Sequence, residues 1–154
     1  MELKGARVLD LFAGSGAVGL EALSRGAAHA LFVEHDARAA KAIRANVAAL
    51  SVAGAKIVTG KVVNVLTPGN QGEPYDFAFA DPPYPLTETD LEAVLEALAA
   101  GGWLAPDAMV VVERSSRSPE PPWVQNVTGT RGRRYGETTL WYGRAAKNDG
   151  GLES

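Results

Sequence analysis

Gly14-Ser15-Gly16-Ala17-Val18-Gly19, set directly behind the apolar run Val8-Leu9-Asp10-Leu11-Phe12, narrows the folds open to this chain more than any other feature. Residues 7–12 read as a strand, and residues 18–25, stopped by Gly26, as a helix. Glycines between a strand and a helix let the backbone turn tightly. They also let a ligand approach where a Cβ would collide. The helix behind the loop directs its free amide groups toward it. In an open α/β sheet such a loop marks a nucleotide-type ligand at the C-terminal ends of the strands. On the glycine pattern alone, a tight turn without a ligand stays open.

The alternation continues downstream, as a mostly parallel sheet requires. Residues 30–34 read as a second strand, and Ala39, Ala40, Ile43, Val47 and Leu50 recur at helical spacing. Residues 57–59 form a short third strand and 61–66 a short helix; residues 75–80 form a fourth strand. Thr89-Asp90-Leu91-Glu92 has the form of a capping box, ahead of an apolar stripe of Leu91, Val94, Leu95 and Leu98. Residues 109–113 make a fifth strand. Two strand-like runs, 124–128 and 138–142, come next with no helical pattern between them, which predicts an antiparallel hairpin at one sheet edge. With 154 residues, 46% of them hydrophobic, the chain suits one domain over residues 1–146. The polar stretch 147–154 reads as a disordered tail.

Glu34 ends the second strand about 20 residues beyond the loop, where a carboxylate accepts hydrogen bonds from ribose hydroxyls. Both a dinucleotide and S-adenosylmethionine carry that ribose, so Glu34 does not choose between them. Asp10, on the strand before Gly14, favours the methyl donor. A carboxylate there suits the cationic methionine portion, directly or through water, and repels a pyrophosphate. Asp36 reads as a helix cap and His35 as a surface residue beside the ligand. Ser15 lacks a histidine base in a plausible pattern, since His29 and His35 are the only histidines, so a hydrolase triad is unsupported.

Asp81-Pro82-Pro83-Tyr84, directly behind the fourth strand, is the most informative segment for chemistry. Consecutive prolines give a corner with fixed φ angles and no N–H, so its carbonyls are acceptors held in place. Asp81 adds a carboxylate acceptor and Tyr84 a flat ring. A planar group bearing an NH2 fits this set: Asp81 and the carbonyl after Pro82 each take one amino hydrogen while Tyr84 stacks. Such an amine is a poor nucleophile because its lone pair is delocalised. Two acceptors draw the nitrogen toward tetrahedral geometry and turn the lone pair toward an electrophilic methyl.

Charge and composition limit the partners. The absence of cysteine rules out disulfides and thiolate metal sites and fits a reducing cytoplasm; no metal is expected. Apolar stretches are too short to span a bilayer, and the first residues do not resemble a signal peptide. A net charge of −3 counts against a broad nucleic-acid surface. Arg131, Arg133 and Arg134 nevertheless cluster beside Tyr135, which reads equally as a solvated turn or an RNA contact.

Taken together, the segment from Asp10 to Gly16, Glu34 and Asp81-Pro82-Pro83-Tyr84 resemble the class I amino-methyltransferases with a (D/N)PPY motif. Residues 9–27 and the ending Arg134-Tyr135-Gly136-Glu137-Thr138-Thr139-Leu140 are similar to the bacterial small-subunit (16S) ribosomal RNA guanine-N2 methyltransferases. The resemblance covers nearly all of residues 3–144. It implies a Rossmann-like fold with a seven-stranded, mostly parallel sheet, an antiparallel C-terminal hairpin and helices on both faces. It implies S-adenosylmethionine held by Asp10, Phe12, Ala13, Gly14, Gly16, Glu34, His35, Lys61, Val62 and Asp81. It further implies an amine site at Asp81, Pro82, Pro83 and Tyr84, and RNA contacts at Arg131, Arg133, Arg134 and Tyr135. The implied product is N2-methylguanine in small-subunit rRNA, made by a cytoplasmic monomer acting on 30S particles or assembly intermediates. Two departures stand out. The strand begins almost at Met1, without the basic arm usual in that family, so a truncated or shortened, weakly active or inactive chain is an expectation. Lys61 and Val62 follow Gly60 where an acid for the adenine amine is expected, which leaves adenine to backbone groups and apolar packing. DNA adenine or cytosine, a protein glutamine amide, an NAD-dependent oxidation and a non-catalytic cofactor-binding module remain the alternatives.

Overall fold

The computed structural model describes residues 3–147. The elements run β1 (Arg7–Leu11), α1 (Ala17–Ser24), β2 (His29–Glu34), α2 (Ala37–Leu50), β3 (Ala55–Thr59), α3 (Val62–Leu66), β4 (Tyr75–Ala80), α4 (Glu88–Ala100), β5 (Leu104–Ser115), β6 (Val127–Tyr135) and β7 (Thr138–Ala145). They form one seven-stranded sheet in the order β3-β2-β1-β4-β5-β7-β6. β1 to β5 are parallel, and β7 is antiparallel to both β5 and β6. The chain winds outward from β1 through β2 to β3, then restarts on the other flank with β4. The switch point therefore lies between β1 and β4, where open α/β sheets bind ligands.

Two apolar cores sandwich the sheet. On one face Val8 and Phe32 pack with Leu20 and Leu23 of α1 and Ile43 of α2. On the other, Leu9, Leu11 and Val33 pack with Val62 and Leu66 of α3 and with Leu91, Val94, Leu95 and Leu98 of α4. Successive strand residues point to opposite faces, so strands covered on both sides are apolar throughout, as β1 and β2 nearly are. Gly19 of α1 is required by this packing. A Cβ there would stand 2.4 Å from the Phe32 ring, which is fully buried.

Several expectations about the elements shift. Asp36 caps α2 as anticipated, its side chain accepting from the Arg38 amide at 2.9 Å. The cap of α4 is Thr87 rather than Thr89: its hydroxyl accepts from the Asp90 amide at 3.0 Å, and the helix starts two residues earlier. Leu50, expected on the buried face of α2, ends that helix and is 55% exposed. β6 extends to Tyr135, so Arg131, Arg133 and Arg134 lie along a strand and not in a turn. β7 pairs with this whole length, from Val127–Ala145 to Tyr135–Thr138, and those ladder bonds decide a conformation that local charge does not. The stretch expected to be a disordered tail lies, from residue 148 on, outside the described residues.

Candidate active site

The glycine loop grows out of β1 with its backbone already strained. Phe12 has φ 57°, uncommon for a residue with a Cβ, and costs about 1–3 kcal/mol. The Ala13 amide, bonded to the Val33 carbonyl of β2 at 3.0 Å, holds the turn across the sheet. Gly14 (φ 58°) and Gly16 (φ 79°) complete it in left-handed conformations, and Gly16 caps α1. A Cβ at Gly14 would meet no protein atom within 4 Å. Backbone conformation, not neighbouring side chains, therefore calls for glycine there.

Two carboxylates brace this loop. Glu34 Oε1 accepts from the Gly14 amide at 2.7 Å and Oε2 from the Asp36 amide at 2.9 Å. A carboxylate has about four acceptor positions, so two stay available. Asp10, 2% exposed, lies beneath the loop and accepts from the Gly19 amide at 2.9 Å. Burial pushes its carboxyl up to about 7; the Gly19 hydrogen bond opposes this, while the charges of Asp81 and Glu34 add to it.

A cleft of about 720 Å³ opens above the loop, lined by Phe12, Gly14, Glu34, His35, Lys61, Val62, Asp81 and Pro83 among the residues named from sequence. Asp10, Ala13 and Gly16 do not line it; they shape the loop from behind. Sequence reasoning missed the wall built by Val63 of α3, by Leu86 ahead of α4, and by Asp90, Ala93 and Val94 in the first half of that helix. Val94 was legible as apolar, but its periodicity marks a buried face without saying that the edge of that face borders a cleft.

Asp81 closes one side of the cleft and opens a second cavity. Its amide reaches back to the Leu11 carbonyl at 3.4 Å, tying the Asp81-Pro82-Pro83-Tyr84 corner to the end of β1. Partial burial of the Asp81 carboxyl raises its pKa, although the residue stays in reach of solvent. Pro82 is buried and anchors the corner, whereas Tyr84 is 95% exposed, its ring free to stack. Asp81, Pro82 and Tyr84 line the second cavity, of about 250 Å³, with Glu113, Arg114, Ser115, Ser118 and Thr138. None of these five was singled out from sequence. Glu113 carried a usable signal, an acid closing an apolar strand, which is what identified Glu34. Arg114 pairs with Glu88 at the start of α4, fastening the segment behind the corner onto β5.

Arg131, Arg133, Arg134 and Tyr135 are exposed on the outermost strand, β6. The Arg131 guanidinium lies 4.7 Å from the Tyr142 ring centre, and that of Arg133 5.4 Å from Tyr135. These contacts keep cations and flat rings together at an open sheet edge.

A seven-stranded sheet in this order, with one reversed strand and helices on both faces, is the class I methyltransferase fold. More particularly, the family described as conserved hypothetical protein 95 matches residues 1–144, and the chain belongs to it. Ribosomal RNA small subunit methyltransferase D of Escherichia coli is 40% identical over 108 residues, covering 70% of this chain and 52% of that protein. The chain thus spans about half the length of that relative. YlbH of Bacillus subtilis is 35% identical over 136 residues, 87% of this chain and 73% of its own length. The solved yhhF protein of Escherichia coli superposes with a TM-score of 0.84 at 33% identity, over 94% of this chain and 79% of its own. Streptococcus mutans SMU.776, solved in complex with SAH, shares the fold at a TM-score of 0.73 and 14% identity, covering 93% of this chain and 46% of that one.

Proposed function

We propose that this chain transfers a methyl group from S-adenosylmethionine to the exocyclic N2 of a guanine in small-subunit ribosomal RNA, giving N2-methylguanine. The observation that carries the proposal is the meeting of two cavities at one carboxylate. Asp81 lines both the cleft above the glycine loop and the smaller cavity at the proline corner.

The cleft suits the methyl donor. Glu34 keeps acceptor positions for two ribose hydroxyls, Gly14 leaves room for close approach, and Val62, Val63 and Val94 offer an apolar wall for a flat base. Lys61 and His35 stand at its rim. Asp10 acts through the loop by fixing Gly19 at the start of α1. The carboxylates that line the cleft, Glu34 and Asp81, favour a cationic ligand and disfavour the pyrophosphate of NAD. Bound there, S-adenosylmethionine supplies an electrophilic methyl on sulfur.

The corner handles the nucleophile. Asp81 and the carbonyl after Pro82 accept the two N2 hydrogens, and Tyr84 stacks on the base once it is turned out of its helix. Methylation of N2 would build positive charge on that nitrogen, which the carboxylate of Asp81 would stabilise before taking the proton that N2 sheds, restoring a neutral amine. Partial burial makes Asp81 a stronger base than an ordinary carboxylate, which assists that step. The exposed arginines of β6 supply phosphate contacts despite the chain's net charge of −3. In this reading the substrate is an assembled or assembling small subunit, engaged by one copy of the chain.

The test is methyl transfer from labelled S-adenosylmethionine into small-subunit particles, followed by nucleoside digestion. Label in N2-methylguanine is the expected result. Label confined to adenine, cytosine or a protein glutamine would overturn the guanine assignment. Calorimetry expects S-adenosylhomocysteine to bind and NAD not to.

A further inference from the structure

We infer that Glu113 sets base specificity, accepting the hydrogen bond of the guanine ring N1–H while Asp81 engages the adjacent N2 amine. This rests on the reading of the Asp81 corner as an amine site and identifies what selects the base there.

The placement follows from sheet register. Ala80 of β4 pairs with Val112 of β5, so the residues that follow, Asp81 just past β4 and Glu113 in the last residues of β5, come side by side near the C-terminal ends of neighbouring strands. Both line the cavity of about 250 Å³ with the exposed Tyr84. No described residue donates a hydrogen bond to either side chain. Burial and the Asp81 charge both work against ionisation of Glu113, so the pair gains when a ligand brings donors to it. The neighbouring Arg114, its side chain 8% exposed, is paired with Glu88 through Nη2, and among the described residues its buried Nε–H has no acceptor.

The chemistry of the bases then decides. Guanine carries N1–H directly beside its N2 amine, two donors on one edge, with the O6 acceptor next in line. Two neighbouring carboxylates match the donors. Adenine and cytosine place a lone pair on the ring nitrogen beside their amine. A carboxylate at that point repels the lone pair and leaves two acceptors facing each other. A buried acceptor without its donor is what makes hydrogen-bonding sites reject close analogues.

The experiment compares the protein and Glu113→Gln on RNA bearing either guanine or 2-aminopurine at the methylated position. 2-Aminopurine keeps the amine but exchanges N1–H for a lone pair and O6 for a hydrogen, a loss common to the protein and its variants. The unaltered protein is expected to favour guanine by about 10–100-fold in kcat/KM. Glu113→Gln, whose amide can donate to that lone pair, is expected to narrow or invert the ratio, with S-adenosylhomocysteine affinity changed less than about twofold. Glu113→Ala, read by the same ratio, is expected to lower it too and guards against an effect peculiar to glutamine. An unchanged ratio in both variants would overturn the role of Glu113. Label on adenine or cytosine with the unaltered protein would instead overturn the guanine reading beneath it.

Discussion

The two halves of the site are prepared in opposite ways. Around the glycine loop, polar groups are paired within the protein: Gly14 and Asp36 amides on Glu34, the Gly19 amide on Asp10. At the proline corner, the Asp81 and Glu113 carboxylates have no donor among the described residues, and Tyr84 stands 95% exposed. The first half is held in shape before any ligand arrives. The second is a set of acceptors left without donors among the described residues. Under the proposed function, a small donor binds into a preformed loop at little ordering cost, whereas a base on a large RNA brings its own hydrogen-bond donors, which makes unmatched acceptors a source of selection.

Substitutions that affect one half alone test this contrast. The largest effect is expected from Asp81→Ala, which removes the shared carboxylate: transfer should fall by about 10²–10³-fold or more. Calorimetric affinity for S-adenosylhomocysteine should stay within a few-fold; a collapse of binding as well would show that the halves are not separable. Glu34→Ala reverses the pattern, weakening S-adenosylhomocysteine binding by about 10–100-fold, at roughly 1.5–3 kcal/mol for charge-assisted hydrogen bonds. Its effect on RNA affinity should be slight. Tyr84→Ala is expected to raise KM for RNA by about tenfold through lost stacking, with Tyr84→Phe near the original value. A full loss in Tyr84→Phe would point to the hydroxyl instead of the ring.

The smallest effect concerns stability beneath the loop. The Asp10 carboxyl titrates at about 7 in the folded protein against 3.8 in the free group, so the folded state binds more protons between those values. Stability from this group is therefore full below 3.8 and declines as pH rises to about 7. Asp10→Asn is neutral throughout and should remove that slope, gaining roughly 1–3 kcal/mol over the parent above neutrality. Melting curves from pH 4 to pH 8 measure it. Equal slopes in the two proteins would mean that Asp10 is better hydrated or better paired than its burial indicates.

Much of this architecture was legible in the chain. Apolar runs broken by Gly14 to Gly16 and by Asp81 to Tyr84 locate β1 and β4 and the turns that end them, because glycine and proline act on the backbone locally, whatever surrounds them. Glu34 and the α4 stripe of Leu91, Val94, Leu95 and Leu98 could be read for a similar reason, since each obeys the period of its own element. Thr87 and Thr89 show where that reading weakens: two hydroxyls compete for one cap, and packing of the helix decides between them.

Sequence by itself thus determined which residues turn the chain, which ones face a core, and that an acid and a fixed acceptor corner accompany a glycine loop. Tertiary structure alone decided that Asp10 supports the loop from below and that β7 lies between β5 and β6, carrying the Arg131 strand out to the edge. It also brought Glu113 beside Asp81. These are matters of strand order and register, set by contacts between residues far apart in the chain, and no local pattern encodes which strands become neighbours.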